Sequence, residues 1–219
     1  MVPSSTVEAR RGMDMSGGRI GSALLALLLP LALAACVRPP IDEDCPALAE
    51  GDLVISELRA QQSGSYPQWV ELYNASDAPI SPRGVRLEFS TSDGKSFFAF
   101  FVRDEGLTIE PGDYFVVGGG STELFTYLDY NYTADHHSAD NPELASALYP
   151  AGILELSVCG EPLDRVIYTG PKAGTLALDG SHPPDAATND DSDDGWCFDV
   201  TESNGIPNGT PGEANPPCP

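Results

Sequence analysis

Basic residues are scarce in this sequence, and their scarcity argues against one large class of functions. The chain has 219 residues, with 11 Lys and Arg against 33 Asp and Glu, which gives a formal net charge of −22 at pH 7. Proteins that bind nucleic-acid phosphates need clustered Lys and Arg. The composition therefore argues against direct DNA or RNA binding. The apolar content of 41% is enough for a core, so the acidity indicates a solvated surface.

A run long enough to span a membrane is also lacking. The longest uncharged apolar run covers residues 21–35, with Pro30 inside it, whereas a spanning helix needs about 20 residues. The run follows several arginines and ends in Leu33-Ala34-Ala35-Cys36, which resembles the lipobox of bacterial lipoproteins. Residues 1–35 are therefore predicted to be a lipoprotein signal peptide, and Cys36 is predicted to carry the lipid.

The residues after Cys36 predict where the exported protein is held. Val37 stands where inner-membrane lipoproteins carry Asp, so the outer membrane or the cell surface is favoured. Residues 36–50 contain three prolines among acids, which is typical of a tether between lipid and domain. The folded part is predicted to start near Gly51.

From Gly51 onward, the pattern of apolar residues predicts an all-β domain. In Gln68–Asn74, Val70 and Leu72 share one face of a strand. Trp69, Glu71 and Tyr73 share the other face. Similar short runs recur between Pro and Gly turns, which favours a two-sheet sandwich. These runs cover residues 52–59, 68–74, 84–90, 96–103, 107–109, 113–117, 152–157 and 163–168. A helical period is confined to a turn or two within residues 122–128.

Four cysteines remain after lipidation, and an even number in an exported chain predicts two disulfides. Four cysteines permit three connectivities, and the sequence alone does not select one. We favour the pairing of Cys197 with Cys218, which would hold the Pro-rich tail against the domain. The other bond would then join Cys45 to Cys159 and link the start of the domain to a later strand. A zinc site is the alternative, but the chain has no CxxC pair to support it.

Several segments together resemble the bacterial lamin-tail domain. The most specific are WVELYN at residues 69–74, EPGDY at 110–114 and GTPGEAN at 209–215. The resemblance covers residues 51–218 and implies an immunoglobulin-like β-sandwich. It departs from the family at residues 81–85, where SPRGV replaces the common Leu-x-Gly-Trp step.

Isolated polar residues offer little catalytic chemistry. Glu71 lies in a strand without a nearby acid or nucleophile, so a structural role is predicted. Asp179, Ser181 and His182 contain the residue types of a hydrolase triad but lack a GxSxG elbow. Asp135, His136, His137 and Asp140 are metal-ligand types in a loop, although adjacent histidines rarely converge on one ion.

The acidic stretch 185–199 is the strongest candidate for a ligand-binding site in the sequence. Carboxylates crowded on a loop bind calcium readily. An EF-hand is excluded, because Asp194 stands where that loop needs Gly and Val200 where it needs Glu. A looser calcium site is the alternative to a solvated loop; its ligands would be Asp190, Asp191, Asp193 and Asp194.

These observations favour a binding or structural module over an enzyme. The expected protein is a lipid-anchored, non-catalytic sandwich that binds an envelope protein or glycan, with no cofactor except calcium if the acidic loop holds one. The alternative is an accessory or calcium-dependent domain of an extracytoplasmic hydrolase system. The nuclear roles of eukaryotic lamin tails do not transfer, because this chain has an export signal and a strongly acidic charge.

Overall fold

The structure is a computed structural model that describes residues 45–60, 66–135, 149, 151–169, 174–191, 194–203 and 206–219. The predicted signal peptide and Cys36 lie outside the described residues. So do four of the candidate metal ligands, His136, His137, Asp140 and Asp193.

Twelve strands and one helical turn make up the described secondary structure. The strands are β1 (Leu53–Arg59), β2 (Trp69–Asn74), β3 (Val85–Thr91), β4 (Phe97–Phe101), β5 (Tyr114–Gly118), β6 (Tyr130–Asn131), β7 (Ala151–Val158), β8 (Glu161–Thr169), β9 (Thr175–Leu178), β10 (Trp196–Asp199), β11 (Glu202–Ser203) and β12 (Ile206–Pro207). The helical turn is α1 (Tyr132–Asp135).

Two large sheets face each other. One has six strands in the order β10-β9-β1-β2-β5-β6, and the other has four in the order β4-β3-β7-β8; β11 and β12 form a separate pair. All pairings in the large sheets are antiparallel except that of β5 with β6. The predicted immunoglobulin-like β-sandwich is thereby confirmed.

The apolar alternation of the strands builds the core between the two sheets. Val70 and Leu72 of β2 belong to the same buried cluster as Leu87 of β3 and Leu154 of β7. Successive residues of a strand point to opposite faces, so Trp69, Glu71 and Tyr73 lie on the other face of β2. The outer face of this sheet is covered as well as its inner face. Every residue of the neighbouring strand β1 is therefore buried.

The sequence pattern missed the strands at one edge of the large sheet. β9 pairs with β1 and β10 pairs with β9, so these two strands extend the six-stranded sheet. Each has only four residues, too few for an alternation to show against the Gly and Asp around them. Residues 107–109 form a single bridge, Ile80 to Ile109, rather than a strand.

Both disulfides join distant parts of the chain. Cys45 is bonded to Cys159 and Cys197 to Cys218, the pairing that the sequence favours. Because disulfides persist in oxidising compartments, the two bonds indicate an extracytoplasmic protein. Within the described residues, no helix has the length and hydropathy needed to cross a membrane.

Neighbouring phenylalanines of β4 test the position of the core. Phe100 is 1% exposed, whereas Phe101 is 37% exposed on the opposite face of the same strand. Phe100→Ala should lower the free energy of unfolding by about 3 to 5 kcal/mol, and Phe101→Ala by about 1 kcal/mol or less. Urea unfolding of the oxidised protein measures both. Equal losses would contradict the assignment of Phe100 to the core.

Candidate functional site

The outer face of the six-stranded sheet is covered by residues 209–215, here called the C-terminal strap. The strap binds the sheet through its backbone amides and the side chains of Thr210 and Asn215. The Thr210 amide donates to Glu57 Oε1 at 3.2 Å, and the Gly212 amide donates to Glu71 Oε2 at 2.7 Å. At its end, Asn215 Nδ2 donates to the carbonyl oxygens of Ser56 at 2.9 Å and Leu178 at 3.1 Å. These bonds attach the strap to β1, β2 and β9.

A register shift in β1 places the two glutamates together. The pairing with β2 shifts between Ile55 and Glu57, after which Glu57 lies directly opposite Glu71. Both side chains are fully buried. Ser56, the residue at the shift, donates its hydroxyl to Glu71 Oε1 at 2.7 Å.

Burial has the largest effect on the pKa values of these two glutamates. Desolvation raises the pKa of Glu71 to about 8, although the hydrogen bonds from Ser56 and Gly212 oppose the shift. Desolvation and the neighbouring Glu71 likewise raise the pKa of Glu57 well above its ordinary value. At neutral pH, Glu71 therefore favours its protonated, uncharged form, and the pKa of Glu57 is shifted in the same direction.

Further bonds hold the strap itself and the residues on either side of it. Thr210 Oγ1 lies 3.2 Å from Asp199 Oδ2 and 3.0 Å from Asn215 Oδ1. Arg59 Nη1 donates to the carbonyl oxygen of Asn208 at 2.7 Å, just before the strap begins. Cys218, which follows the strap, is bonded to Cys197 of β10. Both ends of the strap are thus tied to the sandwich.

Beside the strap lies an open cleft with a volume of about 340 Å³, here called the tyrosine cleft. It is lined by Tyr73, Gly112, Tyr114, residues 178–184, Ala214 and Asn215. Tyr73 and Tyr114 are opposite each other on β2 and β5, with ring centroids 5.0 Å apart and planes inclined by 47°. Burial, with contributions from Glu71 and Tyr73, raises the pKa of Tyr114 to about 12, so its phenol stays protonated.

Segment 179–184 forms another part of the cleft wall. Asp179 Oδ1 accepts hydrogen bonds from the Cys218 amide at 2.8 Å, the Ser181 hydroxyl at 3.0 Å and the Ser181 amide at 3.3 Å. These bonds, led by that of Cys218, lower the pKa of Asp179 and keep it ionised. Gly180 is required here, because a Cβ at this position would lie 1.7 Å from the carbonyl oxygen of Asn215.

The structure brings the candidate triad residues into one cleft but not into a triad. In a hydrolase triad, the nucleophile donates to an imidazole, which in turn donates to the acid. Here the Ser181 hydroxyl donates directly to Asp179. The arrangement is that of a turn stabilised by an aspartate, with His182 exposed at the cleft.

The acidic loop is anchored by a buried asparagine. Asn189 Nδ2 donates to the Ile55 carbonyl oxygen at 3.0 Å and to Asp164 Oδ2 at 2.7 Å, and the Ile55 amide donates to the same carboxylate oxygen at 2.6 Å. Desolvation raises the pKa of Asp164 to about 6. Asn189 and Asp164 thus satisfy backbone groups next to the register shift in β1.

The carboxylates that follow Asn189 point to solvent. Asp190, Asp191 and Asp194 are exposed, whereas Asp193 is outside the described residues. Across the described ranges, no group of three or more His, Cys, Asp or Glu side chains is placed to hold a metal ion. Calcium binding by this loop stays a prediction.

The sequence did not single out Tyr73 and Tyr114 as site residues. The signal for Tyr73 was the outward face of Gln68–Asn74, which carries aromatic residues where a solvated strand would carry polar ones. Neither the strap nor segment 179–184 could be placed against that face from local pattern alone.

Comparison with known proteins identifies one family. Residues 46–170 match the family model described as Lamin Tail Domain. No curated protein and no solved structure gave a match to the chain. The matched range includes β1, β2 and β5, whereas the strap and segment 179–184 follow it.

The buried pair predicts that stability falls as pH rises. Unfolded Glu71 ionises near 4.5, but folded Glu71 keeps its proton up to about 8, so unfolding releases a proton throughout that window. The free energy of unfolding should therefore be greater at pH 5 than at pH 8, by an amount on the order of a few kcal/mol. Urea unfolding at a series of pH values measures the slope.

Glu71→Gln provides the test of this assignment. The glutamine oxygen can accept from the Gly212 amide while its NH₂ group donates to Ser56, so the variant mimics the protonated acid. It should reduce the pH slope, leaving the part due to Glu57. Glu110→Gln, in an exposed turn, is the control and should keep the slope. An unchanged slope in Glu71→Gln would refute the assignment.

Proposed function

Because this chain belongs to the lamin tail domain family, we propose that it is an exported, lipid-anchored module that binds a protein or glycan of the cell envelope and carries out no catalysis. The observation that carries the binding role is the tyrosine cleft, an open cavity of about 340 Å³ with aromatic and polar walls. Cavities of this size and composition are typical of binding sites.

The arrangement of polar groups in the cleft supports binding rather than catalysis. The Ser181 hydroxyl is hydrogen-bonded to Asp179, so no imidazole activates it. The buried carboxylates Glu57 and Glu71 accept hydrogen bonds from the strap. Their contacts assign them to holding the strap, which in turn supplies Ala214 and Asn215 to the cleft wall.

Export and lipid anchoring rest on the N-terminal sequence together with the disulfides. Two bonds tie Cys45 and Cys218 to the sandwich, as expected of a domain that works in an oxidising compartment. The run Leu33-Ala34-Ala35-Cys36 supplies the lipid acceptor. Several acyl chains on Cys36 would give firm attachment, since each buried CH₂ contributes about 0.8 kcal/mol.

Cys36→Ala tests the anchor in the bacterial host. Without the acceptor thiol, the protein should incorporate no clickable fatty acid, and it should lose the electrophoretic mobility of the lipidated, processed form. Val37→Ala, which changes the next residue and keeps the acceptor, should retain both label and processing. Label that persists in Cys36→Ala would contradict the proposed anchor.

A further inference from the structure

The segments that form the tyrosine cleft carry acids but neither Lys nor Arg. Residues 71–80, 108–116, 176–188 and 210–219 contain one histidine, His182, as their only basic side chain. They contain six solvent-accessible acids, namely Asp77, Glu110, Asp113, Asp179, Asp185 and Glu213. A cleft surrounded by one sign of charge raises the local concentration of ligands of the opposite sign. The field at this cleft therefore favours a cation.

The walls of the cleft suit an organic cation. Tyr73 and Tyr114 present two inclined rings, and the face of a tyrosine ring attracts an ammonium or guanidinium group within about 6 Å. In the same cleft, all three hydrogen bonds that Asp179 receives within the described residues reach Oδ1. Its second oxygen, Oδ2, thus keeps its capacity to accept a hydrogen bond from a ligand.

We propose that the tyrosine cleft binds a lysine or arginine side chain of a partner protein, seated between Tyr73, Tyr114 and Asp179. This inference rests on the proposed binding function and names the chemistry of the partner. The volume of the cleft accommodates one long side chain. Asp113, Asp185 and Glu213 lie beside lining residues and supply acids for neighbouring basic residues, so a basic polypeptide segment fits better than an isolated amine.

Nuclear magnetic resonance of the mature protein in neutral detergent, with ¹³C-labelled tyrosine rings, tests the proposal. Tetralysine peptide added in 150 mM sodium chloride should shift the ring signals of Tyr73 and Tyr114 until they saturate. Those of Tyr132 and Tyr168, which are buried in the core, should stay in place. Tetraglutamate should shift none of them. Tetralysine that leaves the rings of Tyr73 and Tyr114 unshifted would overturn the proposal.

Three variants separate cation binding by the rings from attraction to an acidic surface. Tyr114→Leu removes a ring without changing charge and should weaken tetralysine binding roughly threefold or more. Tyr114→Phe keeps the ring and should retain binding. Phe97→Leu, an equivalent change at an exposed position on the other sheet, should also retain it. Equal affinity in Tyr114→Leu and the unmodified protein would overturn the proposal.

Three further outcomes separate a failure of the cleft inference from a failure of the polypeptide assignment or of the proposed anchor. n-Butylammonium should bind more weakly than tetralysine, and equal affinity would overturn the assignment to a polypeptide partner. If Cys36 is lipidated but tetralysine does not bind, the cleft inference fails while the proposed anchored module stands. If tetralysine binds but Cys36 carries no lipid, the proposed anchor fails and the cleft inference stands.

Discussion

The hydrogen bonds between the buried pair Glu57 and Glu71 and the strap amides are the constraint on which the outer face of the sandwich depends. A buried amide without a partner costs about 1 to 3 kcal/mol, so a strap that covers a sheet must find acceptors there. Most strand carbonyl groups are used within the sheet, and those of Ser56 and Leu178 accept from the Asn215 side chain rather than from the strap amides. Two carboxyl groups opposite each other on β1 and β2 meet that need.

The register shift in β1 connects this interaction to the rest of the fold. It places Glu57 opposite Glu71. Next to the shift, the Ile55 amide donates to Asp164, and the Ile55 carbonyl oxygen accepts from Asn189. The strap then continues past Gly180 to Cys218, whose amide bonds Asp179. One irregularity in one strand thus positions the strap and, with it, a wall of the tyrosine cleft.

The sequence predicted what local patterns determine. The alternation of Val70 and Leu72 with Trp69 and Glu71 predicted a half-buried strand, and the cysteine count predicted two disulfides, both of which the structure contains. It could not predict the partners of Glu71, because Gly212 is 141 residues away. The burial of Asn189 could not be predicted for another reason. It lies within a stretch whose composition indicates a solvated loop, yet its side chain is buried. The cleft was missed because four segments that are distant in sequence contribute to it.

Hydrogen exchange of the strap amides tests the central claim most directly. The Thr210 and Gly212 amides should exchange only on global unfolding, with the same free energy of opening as the amides that pair β1 with β2. The Gly106 amide provides an internal control, since it also donates to a carboxylate, Asp104, but in an exposed turn, and should exchange much faster. If Thr210 and Gly212 exchange as fast as Gly106 while β1 and β2 stay protected, the buried glutamates do not hold the strap.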